Sequence, residues 1–252
     1  MSDGVRLLPC GDGALTVEFG RSIDEQVLAR VEAFADALRE AAQAGRPAGV
    51  HDIVQTFRSV TLRYDPLVLS FEELCSRVGE FLDAPPTGAP ATDRRWRLPV
   101  CYGGAFGPDL ADVAHATGRT PAQVCADHAA TRYRVAMLGF LPGFAFMDGV
   151  SPYLRLPRRQ DPRLRVPPGS VAIAGRLTAI YPWQSPGGWH LLGRCPLPLF
   201  DASRPAPALL APGDRVRFAA IGVDQFEALS RRCAELGVDP REWADESAAE
   251  AP

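Results

Sequence analysis

The strongest constraint on the fold is a series of short apolar runs in the second half of the chain, each ended by a glycine or proline turn. After residue 131 these runs read RYRVAML, SVAIAG, TAIYP, WHLLG, LPLF and VRFAAI. Runs of this kind, spaced roughly 8–12 residues apart, are typical of an all-β barrel or sandwich. The 23 glycines and 24 prolines of the chain also favour turn-rich β architecture over a helical bundle. We therefore predict a β-barrel or sandwich in this half.

Helix patterns in the second half are confined to two places. One lies between Pro108 and Ala130, where Thr120–Gln123 forms a capping box with proline at the first helical position. The other covers Asp224–Leu236 and carries an apolar face.

The first 84 residues alternate strand and helix patterns. Leu15–Phe19 alternates polar and apolar residues, and Asp52–Tyr64 is rich in β-branched and aromatic residues that predict two strands or one broken strand. Ser22–Glu25 and Ser70–Glu73 are capping boxes, in which the serine accepts from the third helical N–H and the glutamate reaches back. The order β-β-α-β-β-α predicts a small α+β sandwich.

A proline-rich segment, Ala84–Asp93, separates the two halves and excludes a helix. We predict an α+β protein with a small N-terminal α/β sandwich domain over residues 1–84 and a linker over residues 85–93. A β-barrel domain follows over residues 94–222, and a C-terminal helix with a polar tail covers residues 223–252.

Composition excludes several function classes. A net charge of −3 and a pI of about 5.8 leave no basic excess for a phosphate backbone, so we expect no nucleic-acid partner. All 27 basic residues are arginine, and the chain has no asparagine. The missing lysine excludes a Walker-type P-loop lysine, a Schiff base and a biotinylated lysine on this chain.

Cysteine usage and hydropathy indicate the compartment. The six cysteines are scattered without a CxxC pair, and the N-terminal residues MSDGVRLLPC lack the apolar core of a secretory signal. No run reaches the roughly 18 apolar residues of a membrane span. We expect a reduced, cytoplasmic protein with no membrane partner.

Two glycine-rich motifs are candidate ligand sites. In Gly139–Phe144 (GFLPGF) the glycines let the backbone approach a ligand and the phenylalanines form an apolar wall; the alternative is a turn with core aromatics. In Pro186–His190 (PGGWH) the N–H groups of Gly187 and Gly188 can cradle a carboxylate, and Trp189 can stack on a flat ligand. The alternative there is a hairpin turn with a buried tryptophan.

Four arginines lie within eight residues, at positions 158, 159, 163 and 165, beside Asp161-Pro162. Arginine binds carboxylate or phosphate through two parallel hydrogen bonds, so a proline-stiffened loop of this kind can form an anion site. The alternative is a solvated surface segment.

The candidate proton-transfer groups include four histidines, His51, His115, His128 and His190. Cys125 and His128 have helical i, i+3 spacing suited to two metal ligands, but no third ligand has the required spacing, so we predict no metal site. No GxSxG, HExxH or post-strand GxGxxG motif occurs.

A long set of consecutive motifs resembles a known family. CYGGAFGPDL (Cys101–Leu110) is followed by His128, GFLPGFAFM, PRRQDPRLRVPPGSVAIAG, SPGGWHLLGRCPLPLF and LLAPGDRVRF. These strings resemble the family of 5-oxoprolinase B subunits, also called the allophanate hydrolase subunit 1 or KipI-like family. The likeness also includes LLPCGDGALTVEFG near the start and TFRSVTLRYDP before the linker. Two departures are Ala145–Met147, where an aromatic residue is common, and His190, where glutamine is common.

The resemblance implies a small α+β domain followed by a cyclophilin-like β-barrel. It implies ATP-dependent opening of 5-oxoproline (pyroglutamate) to L-glutamate together with homologues of the A and C subunits of 5-oxoprolinase. ATP is then bound mainly by or with those partners, with no metal or biotin on this chain.

The same resemblance implies where a small carboxylated substrate contacts this chain. Its barrel would present a substrate-binding set with Arg159 or Arg163 as the counter-ion, and His128 is the candidate for catalytic proton transfer. The alternative for His128 is a packed helix histidine. The other members of the substrate-binding set are Phe140, Gly143, Phe144, Gly187, Gly188 and Trp189.

Other functions stay open for this family. One is a KipI-like protein inhibitor of a sensor histidine kinase, and another is the carboxyltransferase or amidohydrolase-type subunit of a urea carboxylase–allophanate hydrolase system. Prolyl isomerase activity would follow from the barrel alone, and fold alone does not carry function.

Overall fold

The computed structural model describes residues 4–43, 48–83 and 94–245. The chain divides into two compact units, residues 1–92 and 93–252. The predicted linker over residues 85–93 lies outside the described residues, and so does the polar tail beyond residue 245. The predicted α+β fold class is confirmed, because a four-stranded sheet with helices and a closed seven-stranded barrel are both present.

The first unit has the predicted order of two strands, a helix, two strands and a helix. Its antiparallel sheet has the strand order β1-β2-β4-β3. The elements are β1 (Arg6–Pro9), β2 (Ala14–Glu18), α1 (Glu25–Gln43), β3 (Val50–Gln55), β4 (Ser59–Tyr64) and α2 (Phe71–Asp83).

The core of this unit follows from alternation along its two central strands. Leu15 and Val17 of β2, with Val60 and Leu62 of β4, are fully buried, whereas the hydroxyls of Thr16 and Thr61 hydrogen-bond to each other at 2.8 Å on the opposite side of these strands. Each such apolar side chain contributes about 1.5–3 kcal/mol on burial. The helices complete the cluster through Val31, Phe34, Ala35, Leu38, Leu74 and Val78.

The two predicted caps in this unit had different outcomes. Ser70 and Glu73 form the reciprocal capping box, with Glu73 N–H donating to Ser70 Oγ at 3.2 Å and Ser70 N–H donating to Glu73 Oε2 at 3.1 Å. The predicted Ser22 box is wrong. Asp24 takes the cap instead, because its carboxylate accepts from Val27 N–H at 2.9 Å, and a carboxylate also suits the positive end of a helix.

The second unit contains the barrel. Its strand order is β10-β7-β6-β13-β5-β12-β9, closed by the β9–β10 pair, and β5–β13 is the parallel pair. A separate two-stranded sheet pairs β8 with β11. The elements are β5 (Arg95–Tyr102), α3 (Leu110–Ala116), α4 (Pro121–Ala130), β6 (Tyr133–Leu138), β7 (Ala145–Asp148), β8 (Arg163–Val166), β9 (Ser170–Ala174), β10 (Leu177–Ile180), β11 (Ser185–Gly187), β12 (His190–Arg194), β13 (Arg215–Ala220) and α5 (Val223–Leu236).

Alternate residues of the barrel strands fill its interior, as expected for a small closed barrel. Helix α4 begins at the predicted capping box, with Gln123 N–H donating to Thr120 Oγ1 at 3.2 Å and Thr120 N–H donating to Gln123 Oε1 at 2.9 Å. It adds Val124 and His128 to the buried residues. The interior cluster includes Leu98, Val100, Val135, Met147, Val171, Ile173, Ile180, Leu192, Val216 and Phe218.

Five of the six apolar runs predicted as strands contain barrel strands, and one does not. LPLF lacks a named strand and contributes only an isolated bridge between Phe200 and Ala208. Pro198 within that segment and Pro196 just before it cannot donate to a ladder, which explains the difference. Among the described helices, none is long and apolar enough to cross a membrane.

Candidate functional site

A second apolar layer lies on the outer side of the barrel wall. The inner residues of β9, Val171 and Ile173, belong to the barrel core. The alternating Ala172 and Ala174 belong instead to a separate buried cluster with Ala179 of β10. These small side chains leave room for rings against the sheet. The rings that fill it, which we call the aromatic layer, are Phe144, Phe146, Tyr181 and Trp189.

The two predicted glycine-rich motifs meet in this layer. Phe144 and Trp189 lie edge to face with ring centroids 6.2 Å apart, and Phe140 contacts Phe144 at 5.4 Å. The relative accessible surface is only 2% for Phe144 and 5% for Trp189, so these two residues pack against each other as core aromatics. Phe140 remains 64% exposed and is the most exposed member of the predicted set.

Trp183 joins Phe140 at the exposed edge of the layer. Its indole N–H donates to the carbonyl of Pro142 at 3.1 Å, which ties its segment to the GFLPGF loop. Trp183 is 47% exposed. Phe140 has φ of 71°, and among the described residues it is the one non-glycine residue with positive φ. Such strain is concentrated at functional sites.

The predicted glycines are required for close packing. Gly143 has φ of 78°, and a Cβ atom there would lie 2.8 Å from Phe200 Cβ. A methyl group at Gly187 would collide with the Tyr181 hydroxyl. The carbonyl of Gly188 accepts from Arg159 N–H at 2.7 Å. Close packing therefore accounts for Gly143 and Gly187, and the predicted N–H cradle stays a prediction.

Arg159 and Arg163, the predicted counter-ions, are already neutralised within the chain. Arg163 donates two hydrogen bonds to the Asp109 carboxylate, at 2.8 and 2.6 Å, and Arg159 donates one at 3.0 Å. Asp109 is buried and also accepts from Leu191 N–H at 2.7 Å. These ion pairs fix the arginine loop to the barrel, and the predicted counter-ion role of Arg159 and Arg163 stays a prediction.

The electrostatics of Asp109 agree with this ion pair. Burial by itself raises the pKa of Asp109, but hydrogen bonds from Arg163 and Leu191 N–H, with the charges of Arg163 and Arg159, leave that pKa lowered. The carboxylate is therefore ionised at neutral pH. Sequence reasoning did not single out Asp109, although it lies inside the motif CYGGAFGPDL.

The other two arginines of the loop are available. Arg158 and Arg165 are exposed, and neither forms a side-chain hydrogen bond or ion pair with the described part of the chain. Arg158 lies near the aromatic layer, because its charge lowers the pKa of Tyr181 while burial raises that pKa more strongly. Of the two loop arginines without a side-chain partner, Arg158 is therefore the one whose charge acts on Tyr181 of the aromatic layer.

His128 lies apart from this layer, in the barrel core, where it is fully buried. Thr178 Oγ1 donates to the carbonyl of Ala172 at 3.0 Å, so it accepts from His128 Nε2–H at 3.0 Å. His128 Nδ1 then accepts from the Tyr102 hydroxyl at 2.8 Å. Both ring nitrogens are thus used within the fold, which supports the packed-histidine alternative.

The environment keeps His128 neutral. Its ring stacks on Phe218 with centroids 4.7 Å apart, and burial lowers its pKa to about 3. A group that contacts neither solvent nor an open site cannot exchange protons with a substrate. The predicted catalytic role of His128 stays without support from this geometry.

Two further observations limit the site. A cavity of about 670 Å³ lies between the outer side of β5 and β13 and helix α5, and none of the predicted site residues lines it. Across the described ranges, no group of three or more His, Cys, Asp or Glu side chains has the arrangement of a metal site.

The comparisons first define a class of protein. Residues 5–210 match the family described as carboxyltransferase domain, subdomain C and D. The solved urea amidolyase of K. lactis has the same fold, with a TM-score of 0.74 over 96% of this chain and 16% of its own, at 18% identity. The fold is therefore that of the carboxyltransferase-domain proteins.

Closer relatives identify the family within that class. The 5-oxoprolinase B subunit of Bacillus subtilis (strain 168) is 39% identical over 229 residues, covering 86% of this chain and 93% of the relative. The crystal structure of TTHA0988 is 41% identical with a TM-score of 0.72, covering 82% of this chain and 40% of that longer chain. The chain belongs to the family of 5-oxoprolinase B subunits.

Proposed function

We propose that this chain is the B subunit of an ATP-dependent 5-oxoprolinase that opens 5-oxoproline to L-glutamate together with the A and C subunits. The observation that supports this most strongly is the 39% identity to a 5-oxoprolinase B subunit, which extends over 93% of that relative. The family match over residues 5–210 includes the aromatic layer and Asp109.

The chemistry explains why more than one subunit is needed. The lactam of 5-oxoproline is an amide. Its hydrolysis breaks the bond between the ring carbonyl carbon and the ring nitrogen, adds the hydroxyl of water to that carbon and leaves a proton on the nitrogen. The amide must be activated first, and ATP hydrolysis to ADP and phosphate supplies the energy. Because this chain has no lysine, we assign the nucleotide phosphates mainly to the partner subunits.

The proposed contribution of this chain is substrate binding at the exposed edge of the aromatic layer. Phe140 and Trp183 offer apolar surface to the lactam ring, and Arg158 offers an unpaired guanidinium to the ring carbonyl oxygen, which gains negative charge as the hydroxyl adds. The ion pairs from Arg159 and Arg163 to Asp109 hold the loop that carries Arg158. Because this chain contributes substrate binding, we expect the catalytic groups to come together when the complex with the A and C subunits assembles.

The test is reconstitution of the complete enzyme. The purified chain and the two partner subunits are mixed with ATP and 5-oxoproline, and glutamate is measured over time. We expect glutamate formation that requires this chain and that falls at least tenfold with Arg158→Gln. Arg165→Gln is the matched control, because Arg165 is also exposed and without a side-chain partner among the described residues, whereas the charge that acts on Tyr181 of the aromatic layer is that of Arg158. Equal glutamate formation in the absence of this chain would contradict the proposal.

A further inference from the structure

Arg194 and Ser170 are neighbours on the outer side of the barrel wall. They are register partners on the antiparallel strands β12 and β9, so their side chains lie on the same side of the sheet. Val171, the residue next to Ser170, belongs to the barrel core, which places Ser170 and its register partner Arg194 on the opposite side. Tyr181 N–H donates to the Ser170 carbonyl at 2.9 Å and connects this pair to the aromatic layer.

Arg194 is a partly buried cation without a counter-charge. Its Nε is enclosed and has no acceptor, and its guanidinium makes no ion pair or side-chain hydrogen bond with any described residue. Burial lowers the pKa of Arg194, and no carboxylate opposes that shift. The guanidinium lies 5.6 Å from the ring centre of Phe106, a contact that orients its plane.

Ser170 is a second polar group left without a partner. Its side chain is fully buried, and its Oγ has no hydrogen bond within the described structure. A buried hydroxyl or guanidinium without a partner destabilises a fold, and such groups are rare. The two unpartnered groups on register-paired residues therefore indicate a place that a ligand completes.

We propose that Arg194 and Ser170 form a subsite for the carboxylate of a small anionic ligand. The guanidinium, which keeps partial solvent access, supplies the charge, and the deeper Ser170 hydroxyl donates a further hydrogen bond. The subsite is distinct from Arg158 and from the Asp109 ion pairs. Its assignment to 5-oxoproline in particular rests on the proposed function, whereas the presence of an anion subsite does not.

The test is binding to the full chain, measured by calorimetry. The probes are 5-oxoproline, the uncharged lactam 2-pyrrolidinone, and inorganic phosphate. We expect 5-oxoproline to bind at least tenfold more tightly than 2-pyrrolidinone, and Arg194→Met to reduce its affinity at least tenfold. Ser170→Ala should reduce it by a smaller factor of about threefold. Arg165→Gln should leave it unchanged.

The outcomes separate this inference from the proposed function. Affinity for 5-oxoproline that stays within twofold in Arg194→Met overturns the subsite, even if reconstituted glutamate formation persists. Failure of the wild-type chain to bind either anion also overturns it. Arg194-dependent binding of phosphate without binding of 5-oxoproline supports an anion subsite and counts against the proposed substrate.

The temperature of thermal unfolding is a second readout. Loss of an arginine that stabilises the fold would lower this temperature, whereas loss of Arg194 from an empty subsite should raise it. Arg194→Met keeps most of the side-chain volume but removes an uncompensated cation, so the ligand-free chain should unfold about 2 °C higher. A clear decrease in the unfolding temperature would show that Arg194 stabilises the fold and would contradict the subsite.

Discussion

Buried polar groups on the two sides of one barrel wall differ in whether they have hydrogen-bond partners. On the inner side, both nitrogens of His128 are hydrogen-bonded, to Tyr102 and Thr178. On the outer side, Arg194 Nε and Ser170 Oγ have no partner among the described residues. Both sides are well enclosed, so burial alone does not explain the difference. Buried polar groups are rarely left unsatisfied, so a pair of unsatisfied groups on register-paired residues indicates a place that a ligand completes.

The arginines of the outer side repeat this contrast. Arg163 forms two hydrogen bonds to a buried carboxylate, whereas Arg194 has no ion pair with any residue that the structure describes. The predicted arginine loop therefore contributes to architecture through Arg159 and Arg163. Within the described ranges Arg158, Arg165 and Arg194 have no ion pair, and we assign Arg158 and Arg194 to a ligand.

The largest expected effect comes from removing Asp109. Asp109→Ala leaves two partly buried guanidinium groups and the Leu191 N–H without their acceptor, so the free energy of unfolding should fall by about 3–5 kcal/mol. Urea unfolding followed by circular dichroism measures this loss. Asp161→Ala, an exposed change in the same loop, should cost less than about 0.5 kcal/mol. Equal losses for both variants would show that Asp109 does not anchor the loop.

Replacement of His128 tests the satisfied inner side. His128→Phe keeps a ring of similar shape but leaves Tyr102 and Thr178 without their partner, so we expect a loss of about 2–4 kcal/mol at pH 7. His115→Phe on an exposed helix position is the matched control. If His128→Phe is as stable as the wild type, the hydrogen-bonded chain does not contribute to the fold.

The same variant predicts a pH dependence. Burial lowers the pKa of His128 from 6.5 to about 3, so its contribution is fully present above pH 6.5 and is lost as pH falls toward 3. At pH 4.5 the wild type should have lost about 2.5 kcal/mol from this group relative to pH 7. The stability difference between wild type and His128→Phe should therefore narrow by about that amount. A difference that stays constant with pH would contradict a neutral His128.

Local patterns predicted the elements better than they predicted the site. The apolar runs and the caps at Ser70 and Thr120 depend on residues within a few positions, and those cap predictions are confirmed. The cap at Ser22 was wrong because Asp24, two positions later, offers a competing acceptor. Interactions between residues close in sequence can therefore be predicted from the sequence, except where two residues compete to cap the same helix.

The site depends on contacts that no local pattern contains. Asp109 meets Arg163 across 54 residues of chain, and Arg194 faces Ser170 only because a bulge near Gly193 sets the β9–β12 register. The motifs did place Phe140, Phe144 and Trp189 in one region. The tertiary contacts of the closed barrel decide which arginine is paired with a carboxylate and which is not.

The smallest expected effect concerns Phe140, where strain and exposure coincide. A non-glycine residue with φ of 71° destabilises the folded chain by about 1–2 kcal/mol, and replacement by glycine removes this strain. Glycine also increases the entropy of the unfolded chain, which offsets about 0.5–1 kcal/mol of the stability gained. Phe140→Gly should therefore raise the free energy of unfolding by about 0.5 kcal/mol while lowering glutamate formation in the reconstituted enzyme. Phe140→Ala is the control, since it removes the ring and keeps the strain. It should lower activity without the gain in stability, and an equal gain in both variants would assign the effect to the exposed ring instead of the backbone.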